Sequence, residues 1–209
     1  DKARKRNRAK TLLRLQKSLK ELNVQMGDYL YQQGEEGKAL YILEKGHVDV
    51  TVRGKTVFSL KPGDLCGEHS PLTGRPRNTS AICMSDECKV YELKSRDFYT
   101  LLDGSPAMKD SLHEICLRRE VQKAFVYKTG KAFPSEDKLR EAFDLIDVDS
   151  SGSLSYEDIK QILHNMDPAI QDEEVMEVIK TMDLNNSGDI TFEEFKHVFA
   201  FNEKRARSI

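Results

Sequence analysis

The stretch CGEHSPLTGRPRNTSA, residues 66–81, says more than any other part of this chain about its fold and function. Gly67 has no side chain, so the backbone there can approach a bound molecule closely. Glu68 can accept a hydrogen bond from a ligand hydroxyl, and Arg77 carries a planar guanidinium that can grip two oxygens of one anion. The residues between them suit one or two helical turns, and N–H groups at a helix N-terminus attract anions. The stretch therefore predicts a pocket for a phosphate group and a neighbouring hydroxyl.

Short strand-like segments lie on both sides of this stretch. Residues 48–52, Val-Asp-Val-Thr-Val, alternate apolar and polar side chains, as a half-buried strand does. Eight of the twelve glycines fall between positions 27 and 74, mostly at the joints between such segments. Many short strands with glycine turns indicate a β-sandwich, jelly roll or barrel. Strands are predicted at residues 29–31, 39–43, 48–52, 56–60, 82–84 and 89–93, and helices from residue 95 and over 105–128.

Residues 24–128 resemble the cyclic-nucleotide-binding domain family, and residues 66–81 resemble its phosphate-binding cassette. The resemblance includes the upstream glycine turns and the strand that follows them. It implies an α+β fold built on a β-roll, or jelly roll, with flanking helices. It also implies that Glu68 binds the ribose and Arg77 the cyclic phosphate, while the neighbouring backbone cradles the phosphate. The implied nucleotide-binding residues are Gly67, Glu68, His69, Ser70, Arg77, Asn78 and Thr79.

The cassette departs from the family pattern in ways that bear on the ligand. Cys66 stands where the family usually has an aromatic residue, and Asn78 and Thr79 follow the arginine. That polar pair could hydrogen-bond a guanine or an adenine edge, so cAMP and cGMP both stay open. The alternative is a barrel that keeps its shape without a ligand, but an unpaired arginine beneath its wall would carry a desolvation cost. Ligand binding is therefore the preferred prediction.

Two acidic segments of twelve residues, 147–158 and 183–194, follow further along the chain. Both place oxygen-bearing residues at positions 1, 3, 5, 7, 9 and 12 and a glycine at position 6, the pattern that wraps a Ca²⁺ ion. Leu154 and Ile190 stand at position 8, where paired loops meet in a short β bridge. Residues 135–201 resemble a calmodulin-like EF-hand pair, which implies an all-α second domain. The candidate metal ligands are Asp147, Asp149, Ser151, Ser153, Ser155, Asp158, Asp183, Asn185, Ser187, Asp189, Thr191 and Glu194.

The two loops differ at their last position. Glu194 ends the second loop and is long enough to give Ca²⁺ two oxygens, whereas Asp158, which ends the first, is one methylene shorter. The smaller Mg²⁺ ion needs only six ligands, so the affinity of the first loop for Mg²⁺ should rise relative to its affinity for Ca²⁺. We expect the second loop to bind Ca²⁺ and the first to bind it more weakly or to prefer Mg²⁺. The alternative is a pair that folds without metal and serves only in packing.

A basic segment precedes the strands. Residues 1–20 contain nine Lys or Arg against one acid. Residues 1–23 are predicted to form an amphipathic helix, because four leucines follow a 3-4-3 spacing, namely Leu12, Leu15, Leu19 and Leu22. The leucine face could pack on the next domain, pair with another helix or adsorb to an anionic membrane, and the first of these is preferred.

Composition and charge exclude several classes of protein. The net charge of −2 argues against a dedicated nucleic-acid binder, although residues 135–199 hold 17 acids against five bases and favour a cation as partner. The four cysteines form no Cys-x-x-Cys pair, which favours a reducing, cytoplasmic compartment over a disulfide framework or a zinc site. Apolar runs are too short to span a membrane. The chain starts at Asp1 and not at Met, so we expect a parent region upstream.

The chain is predicted not to be an enzyme, because no nucleophile, base or catalytic metal set is spaced to form an active site. The predicted domains are a helix at 1–23, a nucleotide-binding domain at 24–128, a linker at 129–134 and an EF-hand pair at 135–205. We expect a regulatory sensor that passes cyclic-nucleotide and Ca²⁺ binding to an effector such as a channel, exchanger or kinase. Membrane contact would come through the parent protein. The alternative is a Ca²⁺-dependent docking module with a nucleotide-free β-roll.

The predicted helix at 105–128 connects the two ligand-binding domains. The family resemblance implies that the helices after the cassette close over the base, so Phe125 and Tyr127 are candidate lid contacts. This helix leads almost directly into the EF-hand pair, and we therefore expect the two ligands to be energetically coupled through it. Such coupling between binding sites is reciprocal.

Overall fold

The computed structural model describes residues 17–103, 105–130 and 136–206, which fall into two compact units. The first unit ends at His113 and the second begins at Glu114. This boundary lies inside one helix, so the second unit starts with the C-terminal half of that helix. The predicted linker at 129–134 is therefore inside the second unit, and most of it lies outside the described residues.

Antiparallel strands make up the body of the first unit. They are β1 (Leu19–Gln25), β2 (Tyr29–Tyr31), β3 (Ala39–Lys45), β4 (Val48–Val52), β5 (Lys55–Leu60), β6 (Leu65–Cys66), β7 (Ser80–Cys83) and β8 (Glu87–Lys94). One sheet has the order β1-β8-β3-β6 and the other β2-β7-β4-β5. The alternation in β4 buries Val48, Val50 and Val52, as predicted. The predicted β-roll, and with it the fold class, is confirmed.

One apolar cluster holds the helices of the first unit against its sheet. These helices are α1 (His69–Thr73), α2 (Ser95–Asp103) and the first part of α3 (Pro106–Thr129). Leu40 and Leu93, from the neighbouring strands β3 and β8, pack with Phe98 and Leu102 of α2. Residues four apart lie on the same face of a helix, so α2 presents both of its buried side chains to the sheet.

The predicted N-terminal helix is wrong over its last residues. Leu19–Gln25 forms β1, which pairs with β8 from Leu19↔Leu93 to Gln25↔Glu87. Seven paired residues on an open strand edge outweigh the helical spacing of two leucines, because tertiary context overrides local propensity. Residues 17 and 18 are helical as predicted, and the remainder of the predicted helix, with Leu12 and Leu15, lies outside the described residues.

Helices make up most of the second unit. The C-terminal half of α3 is followed by α4 (Glu136–Asp144), α5 (Tyr156–Met166), α6 (Asp172–Met182) and α7 (Phe192–Ala206). The short strands β9 (Ser153–Leu154) and β10 (Ile190–Thr191) pair, and Leu154 lies opposite Ile190. The predicted bridge between the two acidic loops is thus confirmed, as is the all-α second domain.

The buried position of Phe125 overturns one expectation about α3. Its ring is fully buried in the second unit, 4.6 Å from the ring of Phe195 and 5.9 Å from that of Phe199. A ring enclosed by these aromatic residues of α7 is not available to cover a nucleotide base. The predicted lid role of Phe125 is therefore wrong for this structure, while that of Tyr127 stays a prediction.

The cysteines carry no disulfide. All four are buried free thiols, as their spacing predicted. Burial, together with a hydrogen bond to Cys88, raises the pKa of the Cys83 thiol to about 11. None of the helices in the described part of the chain has both the length and the hydropathy needed to cross a membrane.

Candidate functional site

Residues 66–81 fold into a cassette at the edge of the first sheet. The edge strand β6 ends at Cys66, and Gly67 turns the chain with a φ of 78°. The predicted helix follows as α1, and Gly74 ends it in the left-handed conformation with a φ of 73°. The chain then continues through Arg77 into β7.

The guanidinium of Arg77 is buried in the cassette, and 5 % of the residue is exposed. Its Nη1 donates to the carbonyl oxygen of Gly67 at 2.6 Å, and its Nη2 donates to that of Ala39. Within the described part of the chain, Nε has no hydrogen-bond partner and Arg77 has no carboxylate in an ion pair. Buried charges are normally paired with an opposite charge. The side chain is therefore placed to receive an anion.

The upstream glycine turn holds the main chain of Arg77. The N–H of Arg77 donates to the carbonyl oxygen of Glu35, and the N–H of Gly34 donates to the carbonyl oxygen of Arg77, both at 2.8 Å. A third bond joins the N–H of Gln33 to the hydroxyl oxygen of Ser80, also at 2.8 Å. The arginine is thus fixed from its backbone as well as from its guanidinium.

Two glycines leave space that the cassette fills. A Cβ added at Gly67 would lie 2.8 Å from Nη1 of Arg77 and 3.2 Å from the ring of Tyr31. A Cβ added at Gly37 would lie 2.0 Å from Cβ of Ser70 in α1. The missing side chain of Gly67 was predicted to let a ligand approach the backbone. In the structure it makes room for the guanidinium of Arg77.

The other predicted nucleotide-binding side chains are buried close to Arg77 in the chain. They are Glu68, His69, Ser70, Asn78 and Thr79. Burial raises the pKa of Tyr31 well above its ordinary value, and the charges of Cys66 and Glu68 raise it further while that of Arg77 lowers it. That these residues bind a nucleotide stays a prediction.

Tyr31, which the sequence places only on a predicted strand at residues 29–31, contacts Arg77 in the structure. The guanidinium carbon of Arg77 lies 4.3 Å from the centre of its ring, within cation–π range. Its hydroxyl lies 3.4 Å from Oγ1 of Thr79, and its ring stacks on that of Tyr41 at 6.0 Å. Thr79, predicted to contact the base, thus has a protein partner for its hydroxyl. The position of Tyr31 on a strand predicts burial, but only strand pairing brings it to Arg77.

The two acidic loops share one backbone geometry. Ser150 and Asn186, both at position 4, have a φ of 56°, and the glycines at position 6 are also left-handed. In each loop the serine at position 5 donates its hydroxyl proton to the carbonyl oxygen at position 7, from Ser151 to Ser153 at 3.0 Å in the first. The position-1 aspartate accepts the N–H groups of positions 5 and 6 in both loops.

The last residue of the second loop closes that loop. Oε1 of Glu194 accepts from the N–H groups of Leu184 and Asn185 at 2.9 and 3.2 Å. Oε2 accepts from the N–H and the hydroxyl of Thr191 at 3.0 and 2.7 Å. Burial alone would raise the pKa of Glu194, but these hydrogen bonds outweigh it and lower the pKa. Glu194 therefore reaches from the end of the loop to its beginning.

The last residue of the first loop has a shorter reach. Oδ2 of Asp158 accepts from the N–H of Ser155 at 2.8 Å, and the N–H of Asp158 donates to Oγ of Ser155 at 3.3 Å, which together form a capping box at the start of α5. Oδ2 also accepts from the hydroxyl of Ser155 at 2.7 Å. At the other end of the loop, burial acts to raise the pKa of Asp147, but hydrogen bonds from Gly152 and Ser151 lower it. The carboxylate of Asp158, which is one methylene shorter, contacts only the end of its loop. The carboxylate of Glu194 also reaches the beginning of its loop.

The donor set fits a hard cation through oxygen chemistry. Carboxylate, hydroxyl, amide and main-chain carbonyl oxygens are the ligands that Ca²⁺ takes in such loops. Across the residues described, no three His, Cys, Asp or Glu side chains lie together closely enough to hold a metal. Several of the carboxylates bond to the N–H groups of their own loop, as shown for Asp147 and Glu194. The twelve predicted ligands therefore stay a prediction.

Family models match both units of the chain. The model for the cyclic nucleotide-binding domain matches residues 21–105, and the model for the EF-hand domain pair matches residues 136–200. The chain is a cyclic nucleotide-binding domain followed by an EF-hand pair. Both resemblances stated from the sequence are thereby confirmed.

Curated relatives match the cyclic nucleotide-binding domain. The potassium/sodium hyperpolarization-activated cyclic nucleotide-gated channel 2 of Mus musculus is 30 % identical over 95 residues, which is 46 % of this chain and 11 % of that protein. Channel 4 of Oryctolagus cuniculus is 32 % identical over 95 residues, which is 46 % of this chain and 8 % of that protein. The chain thus matches about a tenth of the length of these relatives.

Solved structures of similar domains include two kinase regulatory proteins. A regulatory subunit of a cAMP-independent protein kinase A from Trypanosoma brucei is 27 % identical with a TM-score of 0.45, and the match covers 50 % of this chain and 40 % of that one. The regulatory domain of Toxoplasma gondii PKA, crystallised with cAMP, is 24 % identical with a TM-score of 0.44, covering 55 % and 50 %.

Removing the ring beneath Arg77 is expected to weaken nucleotide binding. Tyr31→Leu loses the cation–π contact, whereas Tyr31→Phe keeps it and loses only the hydroxyl contact to Thr79. Isothermal titration with cAMP and cGMP should show the leucine variant weaker than the phenylalanine variant by about 1 kcal/mol, roughly fivefold. Tyr29→Leu, at an exposed position on the same strand, is the control. Equal affinities for the two Tyr31 variants would contradict the role given to the ring.

Exchanging the last residues of the two loops is expected to exchange their strengths. Asp158→Glu should tighten Ca²⁺ binding at the first loop by roughly tenfold, since it adds a ligand oxygen, and Glu194→Asp should weaken the second loop similarly. Calcium titration with and without Mg²⁺ measures both, and Glu193→Asp at the exposed neighbouring position is the control. Two equally tight Ca²⁺ sites in the unmodified chain would show that the asymmetry is absent.

Proposed function

We propose that this chain is a regulatory sensor segment that binds a cyclic nucleotide in its β-roll and Ca²⁺ in its EF-hand pair. The nucleotide half rests on the buried Arg77 guanidinium, whose partners are two neutral carbonyls and whose Nε has no acceptor among the described residues. An anion is the partner that balances such a charge. cAMP and cGMP carry the same anion, so both are candidate ligands.

Nucleotide binding would exchange the partners of Arg77. Phosphate oxygens are charged acceptors, and hydrogen bonds to them are stronger than those to the carbonyls of Gly67 and Ala39. The exchange would release the carbonyl of Gly67 and draw the cassette toward the phosphate. Glu68, next in the chain, would then accept the hydrogen bond of the ribose 2′-hydroxyl.

Contacts between the cassette and α2 would transmit this movement to α2. Tyr99 of α2 donates its hydroxyl proton to the carbonyl oxygen of Pro71 in α1. Ser95, the first residue of α2, donates to the carbonyl oxygen of Gly37 at 3.0 Å, and Gly37 packs directly on Ser70. The cassette helix and the glycine turn are therefore both attached to α2, which we propose moves with them.

The Ca²⁺ half of the proposal rests on the two loops. Glu194 spans the second loop from its last position to its first residues, so this loop is proposed as the stronger Ca²⁺ site. Asp158 contacts only the C-terminal end of its loop, which is therefore proposed as the weaker or Mg²⁺-preferring site. All twelve residues predicted from the sequence keep the roles given to them there.

The effector is proposed to lie outside this chain, in a channel, exchanger or kinase. The curated relatives are named as cyclic nucleotide-gated channels, and the present chain matches about a tenth of their length. A non-catalytic role in the cytoplasm, with membrane contact only through a parent protein, fits free thiols and a near-neutral charge. Nucleic acid is not a proposed partner.

Arg77→Lys provides the direct test of nucleotide binding. Lysine keeps the charge and loses the fork that grips two oxygens. Loss of one charge-assisted hydrogen bond costs about 1.5–3 kcal/mol, so the affinity for cAMP or cGMP should fall by at least about tenfold. Arg75→Lys, two residues away in the same cassette, is the matched control.

Thermal unfolding of the same proteins gives the second readout. A ligand at 100 times its Kd stabilises the folded state by about 2.7 kcal/mol, so nucleotide and Ca²⁺ should each raise the melting temperature of the unmodified chain. Arg77→Lys should lose the response to nucleotide and keep the response to Ca²⁺. If Ca²⁺ raises the melting temperature and neither cAMP nor cGMP does, the chain is a Ca²⁺-dependent docking module and not a nucleotide sensor.

A further inference from the structure

The C-terminal half of α3 is a buried part of the second unit although it lies outside the EF-hand pair in sequence. Its buried residues include Leu117, Val121, Ala124 and Phe125, all at 4 % exposure or less. The family model for the pair begins at residue 136, after this helix has ended. The EF-hand pair therefore packs with a helix that its own sequence does not supply.

Phe125 is enclosed by aromatic residues of the pair. Its ring meets that of Phe195 at 4.6 Å and stands edge-on to that of Phe199 at 5.9 Å, both from α7. Phe195 in turn lies 5.5 Å from Phe143 of α4. The ring thus joins the aromatic cluster that connects the first and last helices of the pair.

A polar contact fixes the position of α3 along α7. Nε2 of Gln122 donates to the carbonyl oxygen of Val198 at 2.9 Å, and the bond is buried. A main-chain carbonyl has two lone pairs, so it can accept this bond as well as one within its helix. The buried ring of Phe125 fixes how closely α3 approaches α7, and the hydrogen bond of Gln122, three residues earlier, fixes its position along α7. We expect both kinds of contact where a helix is bound specifically.

The same end of α7 carries the last ligand of the second loop. Glu194 immediately precedes Phe195, and both of its carboxylate oxygens hydrogen-bond to residues of the loop. A bidentate contact with Ca²⁺ would require both oxygens to turn toward the ion. A movement of the backbone at Glu194 would also move Phe195, the next residue, and with it the ring on which Phe125 packs.

We propose that residues 114–129 are the resident target helix of the EF-hand pair, with Phe125 as its anchor, and that this helix and Ca²⁺ at the second loop strengthen each other's binding. Ca²⁺ opens the helices of a sensor lobe and exposes an apolar groove. Phe125 packs on Phe195 and Phe199 of α7, and Phe195 also contacts Phe143 of α4. In this position Phe125 would occupy such a groove and favour the same open arrangement. Two ligands that favour one conformation increase each other's affinity by an equal factor.

This inference rests on the proposed Ca²⁺ binding and adds an occupant for the groove. A helix of the chain itself fills the place that an external target helix takes in a docking module. Ca²⁺ would then act by tightening the hold on α3, and α3 is also the helix that follows the cassette and α2 in sequence.

Calcium titration of full-length variants tests the link. Phe125→Ala should weaken Ca²⁺ binding at the second loop on the order of fivefold or more, and Phe125→Leu, which keeps an apolar anchor, should fall between it and the unmodified chain. Met108→Ala removes an exposed apolar side chain from the same helix and should leave the affinity unchanged. Circular dichroism verifies that each variant is folded. Gln122→Ala, which removes the bond to Val198, replaces Phe125→Ala if that variant does not fold.

Hydrogen exchange on the unmodified chain tests the reciprocal effect without any substitution. Adding Ca²⁺ should slow amide exchange across residues 114–129. If Ca²⁺ leaves amide exchange in residues 114–129 unchanged, or if all folded variants bind Ca²⁺ with the same affinity, the link between the helix and the second loop is wrong although Ca²⁺ still binds. A chain that binds no Ca²⁺ at all would overturn the proposed Ca²⁺ function as well, and the titration separates these two results.

Discussion

A guanidinium held in the protein interior, with no anion of the described chain paired to it, is the constraint on which the nucleotide-binding unit depends. Removing a charge from water costs several kcal/mol even after the protein relaxes. The fold offsets part of that cost with two carbonyl acceptors, an aromatic ring at 4.3 Å and a backbone ladder to the glycine turn. These contacts hold Arg77 in position, and they leave its charge to be balanced by a ligand.

One helix, α3, starts in the first unit and ends in the second. α3 begins in the nucleotide-binding unit and ends in the core of the EF-hand unit, where Phe125 and Gln122 contact α7. The cassette precedes α3 in sequence, and the second loop leads into α7, which packs on the C-terminal half of α3. The coupling between the two ligands that the order of the domains predicts stays a prediction.

Local patterns were enough for much of this architecture and failed where contacts are remote in sequence. Strand alternation, glycine turns and the twelve-residue loops predicted the β-roll and the EF-hand pair, and the order of Glu68 and Arg77 predicted the cassette. The strand at Leu19–Gln25 was missed because its partner is β8, about 70 residues away. The role of Tyr31 and the burial of Phe125 likewise depend on tertiary contacts that neither spacing nor composition encodes.

We propose that the Nε–H and the two terminal NH₂ groups of Arg77 receive the phosphate of the nucleotide. Nitrogen NMR of the arginine side chains in the full chain observes that group directly, with Arg77→Lys assigning its resonance. Saturating cAMP or cGMP should shift the Arg77 Nε–H signal and slow its exchange with water, as a new charged acceptor would. An Arg77 signal that stays the same while nucleotide is shown to bind would mean that Arg77 does not hold the phosphate.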